Sequence, residues 1–357
     1  MRSNIRMCMI RARGREGARP AARGTFSPMT FLVTGSSGHL GEALMRTLRE
    51  EGQEAVGLDI LPGPFTDEIG SIVDRACAAR VMGLADTVLH AATLHKPHVA
   101  THPREEFVAT NVLGALILLE EAARAGIRAF VFTSTTSAFG DALKPPPGEP
   151  AAWIDERVAP VPRNIYGVTK NAAEDLCRLF HRNEGLSCVV LRTSRFFPEA
   201  DDDPKTRAAY PNDNAKANEY LFRRVAIEDV VDAHLLAAER APALGFAKYV
   251  ISARTPFLPE DCARLRDDAP AVASLRAPGW ENEYARRGWR MFPGIDRVYD
   301  SALARKELGW RPKWNFHTVI ERLRETGDIR GPLARLIGAK GYHSERFEGE
   351  PYPVTKA

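Results

Sequence analysis

The chain has 357 residues, 44% of them hydrophobic and 27% charged, so it is long enough for one large or two modest globular domains. A formal net charge of +3 argues against a nucleic-acid or membrane partner, and no apolar run is long enough to cross a bilayer. The five cysteines are scattered and lack the spacing of a metal site. They predict reduced thiols in a cytoplasmic protein.

Residues 1–28 differ in composition from the rest of the chain. They contain seven arginines and one acid, without the apolar core of a secretory signal. Because Met29 stands directly before the first predicted strand, we predict that 1–28 are a disordered leader or a mis-assigned start. A basic transit-like extension is the alternative.

An apolar run at Thr30–Thr34 is followed by three glycines spaced three apart and by a helical apolar repeat over 42–50. This order predicts a buried strand, a tight turn and a helix. The first glycine would permit the turn, the second would let a diphosphate approach the backbone, and the third would let helix and strand pack closely. N–H groups at the helix start would then bind the phosphates, whereas a turn without a ligand is the alternative for the glycines taken alone. The residues predicted to contact the dinucleotide here are Gly35, Ser37, Gly38, His39, Leu40 and Gly41.

The next predicted strand, Glu54–Asp59, ends in a carboxylate at the distance from the turn that a dinucleotide site requires. Asp59 would accept hydrogen bonds from the ribose hydroxyls and would repel a 2′-phosphate. The sequence therefore predicts NAD rather than NADP as the cofactor. A plain turn residue before the Pro-Gly-Pro at 62–64 is the alternative for Asp59.

Two further strand ends are predicted to line the cofactor. Residues 68–74 predict a short strand that leads into a helix from about 74 to 82, and 86–93 predict a strand that runs into a turn of small residues. Alanines at that turn would let a flat cofactor lie against the backbone, while His90 is predicted to be a packed histidine rather than a metal ligand. The predicted cofactor contacts are Ser71, Ile72, Ala91, Ala92 and Thr93.

A long helix is predicted from about 103 to 126, and Asn111 interrupts its apolar pattern. We predict that Asn111 bonds to backbone near the cofactor, with a solvent-facing side chain as the alternative. A strand over 128–134 ends in hydroxyl residues, among which Thr133 is predicted to contact the cofactor. The proline-rich segment 141–163 predicts a loop at the rim of the site rather than a regular element.

The alternation of helix and strand continues through 164–185, 187–192 and 227–240, which predicts an α/β fold with a parallel, doubly wound sheet. After about residue 195 the alternation breaks, and the acidic run 199–204 predicts a solvated loop rather than a metal site. We predict a leader (1–28), an NAD-binding Rossmann core (29–194), a smaller substrate lobe (195–338) interleaved with the last sheet elements at about 223–252, and a tail (339–357).

The predicted chemistry centres on Tyr166 and Lys170, which lie one turn apart on the same face of a helix. The lysine ammonium, together with a positive nicotinamide, would lower the pKa of the phenol. Tyr166 could then exchange a proton with a substrate hydroxyl while a hydride moves to or from the cofactor. Thr135, at the end of the hydroxyl-rich strand, would orient the same oxygen. A purely structural tyrosine and lysine is the alternative.

In this order the motifs resemble those of the extended short-chain dehydrogenase/reductases, and most of all the NAD-dependent epimerase/dehydratase type, which includes the UDP-glucose 4-epimerases. The resemblance covers about 29–330 and implies a Rossmann domain of about seven strands, a small substrate lobe and often a homodimer. It also implies that Thr135, Tyr166 and Lys170 are catalytic and that Tyr166 and Lys170 contact NAD. The motifs that carry it lie at 35–41, 59, 90–92, 111–114, 132–135, 166–170, 225–229 and 299–310.

Departures from the family pattern narrow the reaction. Sugar 4,6-dehydratases carry an acidic pair after the catalytic threonine and nucleotide-sugar decarboxylases a glutamate, whereas this chain has Thr136 and Ser137. Arg195 stands where epimerases usually have an asparagine that touches the sugar nucleotide, and His95 stands where some have a lysine. The absence of the acidic pair and of the glutamate disfavours both the dehydratase and the decarboxylase reaction.

Arginines supply the predicted anion contacts to the substrate. Arg195 would bind a phosphate or carboxylate bidentately, with a structural ion pair as the alternative. Arg223 and Arg290 could clamp a diphosphate, with ordinary surface arginines as the alternative. The predicted substrate contacts are Thr135, Thr136, Arg195, Arg223 and Arg290.

These residues predict an NAD-dependent epimerase of a nucleotide sugar, a cytoplasmic homodimer without a nucleic-acid, membrane or metal partner. The first alternative is an NAD-dependent dehydrogenase or reductase of a small molecule with a hydroxyl or carbonyl group. A non-catalytic NAD-binding regulator is less favoured, because Thr135, Tyr166 and Lys170 are all present.

Overall fold

The structure, a computed structural model, describes residues 29–201 and 203–340. The predicted leader and all but the first two residues of the predicted tail lie outside the described residues. Within the described part the first strand begins at Thr30, one residue after the predicted start of the fold at Met29.

A seven-stranded parallel sheet forms the centre of the described chain, in the order β3-β2-β1-β4-β5-β7-β8, and β6 pairs with β9 in a separate parallel ribbon. The predicted doubly wound parallel sheet is confirmed. The strands are β1 (Thr30–Thr34), β2 (Glu54–Asp59), β3 (Glu68–Ile69), β4 (Thr87–His90), β5 (Ala129–Thr135), β6 (Ala152–Ile154), β7 (Cys188–Thr193), β8 (Phe246–Ile251) and β9 (Arg297–Tyr299).

Helices cover both faces of the sheet. The alternating side chains of β1 divide between two apolar clusters: Phe31 and Val33 pack with α1 and α8, and Leu32 packs with α2, α4 and α5. The helices are α1 (His39–Glu50), α2 (Arg75–Met82), α3 (Arg104–Phe107), α4 (Gly114–Ala125), α5 (Ile165–Glu184), α6 (Pro204–Ala209), α7 (Asn212–Glu219), α8 (Ile227–Leu244), α9 (Cys262–Asp267), α10 (Ala269–Arg276), α11 (Glu281–Arg287), α12 (Ala302–Glu307), α13 (Phe316–Thr326) and α14 (Pro332–Ile337).

The long helix predicted over 103–126 is interrupted by a π-helical turn at Val108–Leu113. Asn111 lies in this turn and is 2% exposed, and its amide group bonds to both the backbone N–H and the carbonyl of Leu94. The prediction that Asn111 bonds to nearby backbone is confirmed, and the solvent-facing alternative is wrong. Such single-turn bulges in helices are frequent at functional sites.

Two other local predictions differ from the structure. The strand predicted over 68–74 is only Glu68–Ile69. At the end of the predicted strand, the Asp74 carboxylate caps α2 by accepting from the backbone of Ala76 and Cys77. The segment 141–163 contains the short strand β6, although a loop without regular structure was predicted. Its partner β9 lies more than 140 residues later in the sequence, so no local pattern marks the pairing.

The C-terminal helices form a third apolar cluster beside the sheet. Residues of α9, α10, α11 and α13 pack together there. Trp310 is fully buried and donates from Nε1 to the carbonyl of Asp229 on α8, at 2.9 Å. The Asp229 carboxylate accepts from the backbone of Lys313 and Trp314, at 2.8 and 2.9 Å. These bonds attach the segment before α13 to a helix of the sheet layer.

No helix in the described ranges is long and apolar enough to cross a membrane. The four described cysteines are buried and unpaired, as predicted. The described residues contain no group of three metal-ligating side chains.

We expect the substitution Gly41→Ala to destabilise the fold. A Cβ at Gly41 would lie 1.8 Å from the carbonyl oxygen of Gly35, so helix α1 would have to move away from β1. Overpacking of this kind costs about 1–3 kcal/mol in the free energy of unfolding, measured by urea denaturation.

Gly83→Ala is the matched control for this measurement. Gly83 has an ordinary φ of −68° at the end of α2, and a Cβ there would come no closer than 3.5 Å to any neighbour. A Gly41→Ala protein as stable as wild type would contradict the close packing of α1 on the turn.

Candidate active site

The predicted site residues collect at one edge of the sheet. Parallel strands have their carboxyl ends at the same edge, and most of the predicted contacts lie at the ends of β1, β2, β3, β4, β5 and β7 or shortly after them. These contacts lie at 35–41, 59, 71–72, 91–93, 133–136 and 195. Asn111 and the start of α5 reach the same edge from the helix layer.

The glycine turn has the geometry of a phosphate cradle. Gly35 adopts a φ of +76°, which favours glycine, and a Cβ there would lie 2.8 Å from the backbone nitrogen of Ala92. Gly38 donates to the carbonyl of Gly35 at 3.0 Å and precedes α1 as its N-cap. No side chain among the described residues caps α1. The first turn begins with His39, Leu40 and Gly41, and backbone N–H groups at a helix start without a side-chain cap are suited to binding an anion.

Asp59 lies against this turn at the end of β2. Its Oδ2 accepts from the backbone of Ser37 at 2.9 Å, and its Oδ1 accepts from the backbone of Leu61 at 2.9 Å. The Ser37 hydroxyl shares a hydrogen bond of 2.8 Å with Thr66. A carboxylate fixed in this way beside the turn fits the ribose hydroxyls of NAD.

The turn after β4 is bonded to the helix layer. Thr93 donates from Oγ1 to the Asn111 side chain at 2.9 Å, and Asn111 donates onward to Thr169 on α5 at 3.2 Å. Ala92, which follows Ala91, donates from its backbone to Thr34 at 3.3 Å. Asn111 therefore joins the turn after β4, which is predicted to contact the cofactor, to the helix that carries Tyr166.

Four other residues singled out in the sequence are placed as follows. Ser71 and Ile72 lie between β3 and α2. Ile72 is buried and packs against Gly114, and a Cβ added at Gly114 would come within 2.7 Å of the Ile72 side chain. The Thr133 hydroxyl is paired with His234 of α8 at 2.8 Å. His90 is buried and pairs with Thr34 through Nδ1 at 2.7 Å, as a packed histidine does.

Thr135 at the end of β5 and Tyr166 on α5 lie close together, and Lys170 lies one turn further along α5. Asn164 caps α5 by accepting from the backbone of Gly167 at 3.0 Å, which fixes Tyr166 in the first turn of the helix. The Thr135 side chain lies near enough to the Tyr166 hydroxyl to act on its pKa. All three predicted catalytic residues are buried, with Lys170 only 2% exposed.

Burial controls the protonation of this pair. It raises the pKa of Tyr166 to about 12, although the nearby Thr135 side chain acts in the opposite direction. It lowers the pKa of Lys170 to about 7, although the charge of Glu174 raises it. Loss of hydration disfavours both charged forms, so the Tyr166 pKa lies above its ordinary value, and its lowering by Lys170 together with a positive nicotinamide stays a prediction.

The structure brings Arg195 and Arg223 together on two shared carboxylates. Arg195 lies 2.7 Å from Asp201 and 3.4 Å from Glu219, and Arg223 lies 3.2 Å from Asp201 and 2.9 Å from Glu219. Burial by itself would raise the pKa of Glu219, but the surrounding arginines hold it far below its ordinary value. The ion-pair alternative for Arg195 describes these contacts. The predicted solvated loop is wrong at Asp201, whose side chain is 9% exposed.

Arg290 lies apart from that cluster. It donates to the carbonyl of Ala209 at 2.7 Å, and its guanidinium lies 4.9 Å from the ring centre of Tyr210. Among the described residues no ion pair joins it to Asp201 or Glu219. Thr136, by contrast, is buried in the turn that directly follows Thr135.

Sequence reasoning missed a line of rings between the glycine turn and Tyr166. The ring centre of His95 lies 6.3 Å from that of Tyr166 and 5.7 Å from that of Phe197, which lies 5.8 Å from His39. Burial lowers the pKa of His95 to about 3, so its ring is neutral. The Glu199 carboxylate lies 3.9 Å from His39. Phe197 and Glu199 follow β7 without any motif, whereas the departure at His95 was a usable signal.

The geometry agrees with what comparison with known proteins finds. A model of the NAD-dependent epimerase/dehydratase family matches residues 31–251. A dTDP-glucose 4,6-dehydratase from Streptomyces antibioticus is 29% identical over 82% of this chain and 91% of its own length. A UDP-glucose 4-epimerase from Erwinia amylovora is 29% identical over 46% of this chain and 52% of its own length.

This chain thus spans only about half the length of several curated relatives that it matches, and 40% of another. The solved UDP-glucose 4-epimerase from Thermotoga maritima with UDP-glucose is 24% identical, with a TM-score of 0.57 over 84% of this chain and 100% of its own, which shows the fold. Because the family model covers more than half of the chain, the protein belongs to the NAD-dependent epimerase/dehydratase family.

Proposed function

We propose that the protein epimerises a nucleotide sugar by transient oxidation, with Tyr166 as the acid/base. The observation that carries this proposal is the close approach of the Thr135 side chain to the Tyr166 hydroxyl at the carboxyl edge of the sheet, with Lys170 one turn further along α5. Two oxygens that already meet there can hold one substrate hydroxyl between them.

The cofactor side would be held by residues that are already fixed. The glycine turn and the first turn of α1 would bind the NAD diphosphate, and Asp59 would accept from the ribose hydroxyls. When bound, NAD supplies a hydride acceptor that can also return the hydride. Lys170 would anchor the nicotinamide ribose and supply positive charge beside Tyr166.

Proton transfer follows from these positions. Tyr166 as phenolate would take the proton of the substrate hydroxyl while Thr135 holds the same oxygen, which would become the oxygen of a ketone once the carbon is oxidised. Tyr166 would give the proton back to that oxygen when the carbon is reduced from its other face, which yields the epimer with no net oxidation. Because burial raises the Tyr166 pKa to about 12, the phenolate requires the ammonium of Lys170 and a positive nicotinamide nearby.

The substrate would lie toward residues 195–338, with 29–194 as the cofactor domain. Arg195, Arg223 and Arg290 are the proposed anion contacts, and a diphosphate would have to share the first two with Asp201 and Glu219. A homodimer and a cytoplasmic location belong to the same proposal, from the family resemblance and the unpaired cysteines.

Two other reactions use the same machinery. A dehydrogenase would release NADH in each turnover and is the first alternative. A 4,6-dehydratase has support from the relative matched over 91% of its length, but elimination of water needs an acid near Thr135, and Thr136 and Ser137 follow it here. We therefore keep the epimerase ahead of both.

One experiment separates these reactions. The full-length protein is denatured and the released NAD is measured, and a second sample is incubated with UDP-galactose and followed by proton NMR. Bound NAD and the appearance of UDP-glucose without NADH would support the epimerase. Accumulating NADH would favour the dehydrogenase, a 4-keto-6-deoxy sugar would favour the dehydratase, and no NAD binding would reject the cofactor site.

We expect Tyr166→Phe to reduce turnover by about 10²–10⁴-fold, because the phenol oxygen that exchanges the proton is lost. NAD content after purification should not change. Tyr249→Phe is the matched control, since Tyr249 is also buried but donates to Glu307 at 2.8 Å on the edge strand β8. Equal rates for the Tyr166→Phe enzyme and wild type would rule out the acid/base assignment.

We expect Asp59→Ala to weaken NAD binding about 10-fold or more, because hydrogen bonds from ribose hydroxyls to a carboxylate are lost. Binding of NADP should weaken less, since the variant no longer repels the 2′-phosphate. Both dissociation constants can be measured by calorimetry. Asp86→Ala, at the opposite edge of the sheet, is the control, and an unchanged NAD to NADP ratio would disprove the role of Asp59.

A further inference from the structure

Glu174 is the next residue in the same column of α5 as Tyr166 and Lys170. The three residues are spaced by four, so they lie on one face of the helix. Glu174 is 1% exposed. A carboxylate buried this deeply needs several hydrogen-bond donors, and its contacts therefore indicate what it does.

The Glu174 carboxylate binds three neighbouring strands. Ser134 of β5 donates its hydroxyl at 2.6 Å, and Arg192 of β7 donates from Nε and Nη2 at 2.9 and 2.7 Å. Lys248 of β8 forms an ion pair with the same carboxylate. One side chain of the catalytic helix is thus attached to half of the sheet, and Ser134 directly precedes Thr135.

The charge of Glu174 persists in this environment. Burial by itself would raise its pKa, but hydrogen bonds and charge from Arg192, together with the charge of Lys248, hold the pKa below its ordinary value. Lys170, one turn away, is buried with its Nζ 4.1 Å from the ring centre of Phe132. Burial lowers the Lys170 pKa, and Glu174 is the larger of the charges that raise it.

The other titratable groups around Lys170 are neutral near pH 7. His90 of β4 and His95 of the following turn have pKa values lowered to about 3, mainly by burial. Burial raises the pKa of the Cys177 thiol on α5 well above its ordinary value. Among the described residues that act on Lys170, Glu174 is therefore the group that carries a full charge at that pH, and Tyr166 loses its proton only at higher pH.

We propose that Glu174 is a positioning residue: it holds α5 against the strand that carries Thr135, and its negative charge keeps Lys170 protonated beside Tyr166. This inference depends on the proposed roles of Thr135, Tyr166 and Lys170. It adds a fourth residue to the machinery, one that touches neither substrate nor cofactor.

The direct test is the titration of Lys170 by NMR in full-length protein with ¹³C-labelled lysine side chains. The Lys170 signal is identified by its absence in Lys170→Met. In wild type its midpoint should lie near pH 7, since burial lowers the pKa to about 7. In Glu174→Gln, which keeps the shape of the side chain but removes the charge, the midpoint should fall by about 1 pH unit or more.

Two variants complete the design. Glu121→Gln is the matched control. Glu121 is also a buried carboxylate bound by two cations, here Arg75 and Arg124, but it lies on α4 facing α2. The titration midpoint of Lys170 in this variant should equal that in wild type. Lys248→Met removes a cation that partly neutralises Glu174 and should raise the midpoint. Lys248 is partly exposed, so this variant tests the proposal even where Glu174→Gln does not fold.

The pH profile of turnover gives the second readout. In Glu174→Gln the alkaline limb of the rate profile should move to lower pH, because Lys170 loses its proton earlier, whereas a purely structural role would lower the rate at all pH values alike. Unchanged Lys170 midpoints in the folded Glu174→Gln and Lys248→Met proteins would overturn the proposal. A shifted midpoint in a protein without epimerase activity would instead reject the proposed function and leave the coupling intact.

Discussion

Parallel strands end at the same edge of the sheet, and the whole candidate site depends on this constraint. The glycine turn after β1, Asp59 after β2 and Thr135 at the end of β5 are far apart in sequence, but the strand order brings their ends side by side. Close packing of α1 on the turn, where Gly41 faces the carbonyl of Gly35, directs the helix N-terminus to the same edge. The cofactor and the reacting hydroxyl can therefore be held by one rigid layer.

Burial has opposite effects on the pKa values of the two catalytic groups. It raises the pKa of Tyr166 and lowers that of Lys170, so both groups favour the neutral form when no other charge is near. A phenolate beside an ammonium is favoured only when further charges support it. Glu174 supports the ammonium through the protein, and the nicotinamide would support the phenolate. Under the proposed mechanism the acid/base pair would form only when all of these charges are together.

The substrate side is organised differently. Arg195 and Arg223 are already paired with Asp201 and Glu219, so their charges are largely neutralised before any substrate arrives. Binding of a diphosphate would exchange one set of anions for another rather than fill an empty cationic pocket.

The sequence by itself determined the elements whose causes are local. Glycine spacing and apolar periodicity predicted β1, its turn and α1, and a spacing of four placed Tyr166 and Lys170 on one helix face, because backbone sterics and helix geometry act over a few residues. Only the tertiary structure decided the pairing of β6 with β9, the shared carboxylate at Asp201 and the bond from Lys248 to Glu174, which spans 74 residues. Each of these contacts joins segments that are far apart in the sequence, and no local pattern in one segment indicates the other. The contacts could therefore be found only in the folded chain.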